Sequence, residues 1–102
     1  MKMYLISDNI DTQMGLRMAG IEGIVVHEYD ELKAAVESVL KDASIGILLL
    51  TTKLYEMDRD YFLELKLNVR RPLIVEISDR HKSHEIQSML DDTIAKIVGK
   101  VV

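Results

Sequence analysis

Hydrophobic and polar positions follow two rhythms along the chain. Four short apolar runs, at residues 3–6, 24–27, 45–50 and 73–77, alternate with stretches of helical period. The third run, Ile45-Gly46-Ile47-Leu48-Leu49-Leu50, is almost wholly apolar, the pattern of a central parallel strand covered on both faces. The second and fourth runs are shorter or carry a polar residue (Glu76), which suits edge positions.

Between the runs, apolar residues recur at helical spacing. After Asp30 they fall at Leu32, Val36, Val39, Leu40 and Ala43, one face of a helix. Asp30 is the expected N-cap there, with Glu31 at the positive end of the helix dipole. The first helix is expected to stripe Ile10, Met14, Met18 and Ile21 on one face, and the third to align Leu54, Met57, Tyr61 and Leu65. A fourth is expected to run from a Ser83 cap through Ile86, Met89, Leu90, Ile94, Ile97 and Val98 to Gly99. Pro72, the only proline, marks the break before the fourth run.

Strand and helix alternating at this spacing predict right-handed βαβ units, hence a parallel sheet with helices on both faces. The expected fold is a small flavodoxin-like α/β domain spanning residues 1–102, with four parallel strands in the order 2-1-3-4. Connections are short, leaving little chain for a lid or binding loop.

Composition narrows the function. The 102 residues suit a single domain, and no apolar run approaches the ~20 residues of a membrane-spanning helix. The first apolar run is cut short by Asp8, unlike a secretory leader. With no cysteine, disulfides, thiolate nucleophiles and thiolate metal sites are excluded. A net charge of −4 argues against nucleic acid as a main partner, and sparse aromatics argue against a base-stacking platform.

In a sheet of this type ligands sit beyond the carboxyl ends of the strands. The residues there are Ser7-Asp8-Asn9, Glu28-Tyr29, Thr51-Thr52 and Ser78-Asp79-Arg80. A phosphoaccepting receiver needs an Asp at the end of the third strand, where this chain has Thr51. Asp8 or Asn9 is therefore read as a helix cap, and Thr51-Thr52 as a cap of the third helix. Gly15 and Gly20 do not form a dinucleotide cradle, and there is no phosphate-binding P-loop. Gly15 reads as a packing residue and Gly20 as a helix stop. A flavin loop would need a run of hydroxyls that is absent. His81 and His84, near Asp79 and Glu85, form only a weak metal pattern and read as a solvated loop. No catalytic set, cofactor site or metal site is expected.

The last helical stretch is unusually apolar for a terminal element. Met89 and the Val101-Val102 tail could exceed what one buried face absorbs, leaving either an interaction surface or a wholly buried helix edge.

Nearly end to end, the chain resembles the F subunit of the V-type and archaeal A-type rotary ATPases. Asp8, Asp11-Thr12 and Gly15-Leu16-Arg17-Met18-Ala19-Gly20-Ile21 are similar to that family's D-x-D-T-x-x-G-F-x-L-A-G-I stretch. Residues 45–51 resemble its glycine-bearing buried strand ending in Thr, and residues 72–77 its P-x-I-x-E-I-P strand. Leu16 stands where an aromatic is usual, and Ser78 where a proline commonly follows the fourth strand.

The resemblance implies a non-catalytic part of the central stalk, docked on the coiled coil of the D subunit, beside other stalk subunits. It implies coupling of ATP synthesis or hydrolysis to proton or sodium transport. It also implies a cytoplasmic, peripheral place in a membrane-bound complex, without insertion into the membrane. It points to residues 85–102 for partner contacts, with Met89, Ile94, Ile97 and Val98 the first candidates. The competing expectation is a receiver-like or flavodoxin-like signalling or ligand-binding domain.

Overall fold

The computed structural model describes residues 2–78. Its strands are β1 (Lys2–Ser7), β2 (Glu22–Val25), β3 (Ile45–Thr51) and β4 (Leu73–Ile77), and its helices α1 (Ile10–Met18), α2 (Tyr29–Lys41), α3 (Thr52–Met57) and α4 (Arg59–Asn68). The strands form one all-parallel sheet in the order β2-β1-β3-β4, as the sequence pattern predicts. Every residue of β3 is buried, as its apolar run demands, and β2 and β4 take the outer positions.

The period-two alternation of the strands divides the core between the two sheet faces. One face sets Ile6, Leu48, Leu50 and Ile74 against Leu32, Val36 and Val39 of α2, Leu54 and Tyr55 of α3, and Phe62 of α4. The other sets Leu5, Ile47, Leu49 and Ile77 against Leu16 of α1. Tyr55 stacks on Phe62 and Tyr61 meets it edge-on, so a small aromatic cluster fills the angle between α3 and α4.

Four local readings are corrected. β2 begins at Glu22 rather than Ile24, because it pairs with β1 from Tyr4–Glu22 to Ser7–Val25. A Cβ at Gly23 would lie 2.7 Å from both the Leu5 carbonyl oxygen and the Leu5 Cβ, so this close pairing requires glycine. α2 starts at Tyr29 with Glu28 at its N-cap position, which places Asp30 in the first turn. The cause is Glu31, whose carboxylate reaches back to accept from the Glu28 backbone N at 3.1 Å.

The expected third helix is two helices. Asp58 leaves helical geometry (φ −154°, ψ 65°) and its carboxylate accepts from the Tyr61 backbone N, starting α4 afresh. The same carboxylate accepts from the Tyr29 hydroxyl at 2.5 Å, tying the α3–α4 joint to α2 and pushing that phenol's pKa above its ordinary value. Met57 is consequently exposed and Phe62 takes the core position.

The fourth correction concerns α1. Ile10, Met14 and Met18 are 57%, 56% and 90% exposed, and only Thr12 and Leu16 are buried. Three of the four residues of the expected stripe therefore face outward, while Ile21, just past the helix, packs against the sheet. Leu16 and Thr12 make up the inner face, and both ends of the helix are capped. Asn9 Oδ1 accepts from the Asp11 and Thr12 backbone N atoms at 2.8 and 3.2 Å. At the other end Gly20 (φ 88°) donates to the Arg17 carbonyl and Ile21 to the Leu16 carbonyl, each at 2.9 Å. That pair of bonds is a Schellman stop, with Ile21 and Leu16 in the same apolar cluster.

Candidate functional site at the carboxyl edge of the sheet

The chain runs from β1 outward to β2 on one side, then returns through β3 to β4 on the other. The carboxyl ends of β1 and β3 therefore flank the point where strand order reverses, the usual ligand crevice of such sheets. Asp8 and Thr51 stand on either side of it.

These two residues bond to each other. Thr51 Oγ1 donates to Asp8 Oδ1 at 2.7 Å and accepts from the Asp8 backbone N at 3.2 Å. Ser7 Oγ accepts from the Asn9 backbone N at 2.9 Å and donates to the Asn9 carbonyl at 2.8 Å. Thr52 Oγ1 donates to the Ile77 carbonyl at 3.2 Å, joining the start of α3 to the end of β4. Among the described residues no buried side-chain nitrogen or oxygen lacks a partner. Among the described residues the hydroxyls of Ser7, Thr51 and Thr52 each bond to a neighbouring carbonyl or carboxylate oxygen.

This arrangement refines the sequence reading. Asn9, not Asp8, caps α1. Thr51 occupies the N-cap position of α3 but its hydroxyl does not cap the helix; it bonds Asp8 instead. A threonine beside a carboxylate has the outline of a nucleophile and base, but Thr51 is fully buried, so no substrate reaches it. Nothing in the local sequence announced the Asp8–Thr51 pair, because its members lie 43 positions apart.

Two grooves lie at the opposite, amino edge of the sheet. One of about 500 Å³ is bordered by Tyr4, Arg17, Gly20 and Glu22; the other, about 230 Å³, by Lys2, Ser38, Asp42 and Ile45. Neither gathers a catalytic constellation. No group of three or more His, Asp or Glu side chains that could hold a metal occurs among the described residues. His27 is exposed, and His81, His84, Asp79 and Glu85 lie outside the described residues. So do Met89, Ile94, Ile97 and Val98, the candidate partner contacts. No helix among the described residues is long and apolar enough to cross a membrane.

Comparison with known proteins gives a consistent picture. Residues 3–97 match the family described as ATP synthase (F/14-kDa) subunit. The F subunit of the A-type ATP synthase of Methanothermobacter thermautotrophicus is 30% identical over 91 residues, covering 87% of this chain and 85% of the relative. The F subunit of the A-type ATP synthase of Methanosphaera stadtmanae is 28% identical over 91 residues, with the same coverage of both chains.

Proposed function

This chain belongs to the family of the ATP synthase (F/14-kDa) subunit, with relatives that are F subunits of A-type ATP synthases, and on that premise we propose that it is a non-catalytic component of the central stalk. In this reading it binds the coiled coil of the D subunit within a peripheral, cytoplasmic part of a membrane-bound rotary complex. It helps couple ATP synthesis or hydrolysis to proton or sodium transport without itself touching nucleotide.

The observation that carries the proposal is the match over residues 3–97, which takes in nearly the whole chain. The carboxyl edge is compatible with it: where a receiver carries its phosphoaccepting Asp this chain has Thr51, whose hydroxyl is bonded to Asp8. A domain built this way works by its surface. Met89, Ile94, Ile97 and Val98 are proposed to contribute to the contact with the D subunit, on the strength of the surplus apolar positions in residues 85–102.

Co-expression with the cognate D subunit provides the direct test. A stable co-eluting complex is expected, together with no ATPase activity from the isolated chain. Absence of any complex would reject the proposal. Within the complex, Ile94→Asp or Ile97→Asp should weaken association while the circular dichroism spectrum stays that of the wild type. Loss of the folded spectrum would instead identify these positions as core.

A further inference from the structure

Among the described residues, neither core cluster includes the outward stripe of α1. Met14 lies two residues from both Thr12 and Leu16, about 200° around the helix from each at ~100° per residue. It therefore points away from the sheet, with Ile10 and Met18 one turn before and after it. Three large apolar side chains on adjacent turns of a helix anchored at both ends form a rigid ridge in solvent. Isolated exposed apolar residues are ordinary, but a row of this kind is the pattern by which one helix packs on another. Two of the three are methionines, whose unbranched thioethers adapt to a partner surface.

Charge and size select the occupant. Asp11 borders the ridge on one flank and Arg17 on the other, and among the described residues neither side chain has an ion-pair partner. A partner helix bearing its own apolar row, with a base on the Asp11 side and an acid on the Arg17 side, would satisfy both flanks. The ridge is short: nine residues at ~1.5 Å each span about 14 Å. A pair of copies meeting along it would bury far less than the roughly 800 Å² per partner of a stable protein–protein interface. The ridge is thus a second contact for a partner held elsewhere as well.

We propose that Ile10, Met14 and Met18 dock against one helix of a coiled-coil partner, the D subunit, as a contact additional to the C-terminal segment. This rests on the function proposed above. The native methionines supply the probe. Mild peroxide treatment of the free chain should convert Met14 and Met18 to sulfoxides, read by peptide mass mapping, with Met18 the faster because it is the more exposed. In the co-purified complex their oxidation should fall severalfold, while Met57, exposed on α3 on the other side of the sheet, stays as reactive as before. Equal oxidation of Met14 and Met18 in the free and bound chain would overturn the inference.

A Met14→Glu/Met18→Glu double variant should weaken the complex by about tenfold or more while keeping the wild-type urea midpoint. Unchanged affinity would also overturn it. The two readings fail differently. If the wild-type chain forms no complex with the D subunit, the functional proposal falls and this docking falls with it. If the complex forms but the ridge stays oxidisable, only the docking falls. A wild-type dimer in light scattering that the double variant abolishes would assign the ridge to a second copy and reject the coiled coil as its occupant.

Discussion

Helix α2 lies on the sheet with Leu32, Val36 and Val39 pressed into the larger core, whereas α1 sets only Leu16 and Thr12 inward and carries its apolar row on the far side. Both connect strands of one sheet, but they are fastened by different means. The face of α2 holds it down: three buried aliphatic side chains remove apolar surface from water worth about 1.5–3 kcal/mol each. α1 has one such side chain, and its placement depends on its ends, through the Asn9 cap and the Schellman stop at Gly20. A helix tied by its face must spend its apolar residues on the core. One tied by its ends has an outer face free for other contacts.

That contrast can be broken experimentally. The largest effect should come from Leu32→Ala in α2, which removes a fully buried side chain and should lower stability by about 2–5 kcal/mol in urea titration. Next is Gly20→Ala at the end of α1. Nothing crowds the Cβ position, so the cost is that of holding alanine at φ 88°, about 1–2 kcal/mol. Asn9→Ala, which strips two backbone donors of their acceptor, should cost about 1 kcal/mol. Met18→Ser should leave the unfolding midpoint within about 0.5 kcal/mol of the wild type. If Met18→Ser proved as costly as Leu32→Ala, α1 would be held by its stripe after all and the comparison would collapse.

The elements that could be read from the sequence are those whose pattern has a single physical solution. The near-continuous apolar run at residues 45–50 reads as a strand covered on both faces, and the spacing of Leu32, Val36 and Val39 marks the shared face that α2 does turn to the core. Gly20 announces a helix stop because residues with a Cβ resist its conformation. The stripe of α1 misleads because periodicity marks a shared face without saying which way it turns. Its row satisfies the same rule as that of α2. The break at Asp58 is hidden for a related reason: its capping carboxylate competes with continuation of the helix, and Tyr29, 29 positions away, helps decide the outcome.

The candidate site divides along the same line. Missing glycines, cysteines and a third-strand aspartate excluded several chemistries from the sequence alone, because each needs a residue type that is not there. The partner of Asp8 depended on which distant hydroxyl meets it, and only parallel pairing of β1 with β3 brings Thr51 to it. The sequence by itself determined the alternation of parallel strands and helices and the covered place of β3. Local pattern and chain connectivity suffice for these, since a βαβ crossover has one hand and a wholly apolar strand one environment. The tertiary structure decided which face of α1 meets solvent and where the polar edge groups find partners. Both follow from contacts between segments far apart in the chain, which no local window contains.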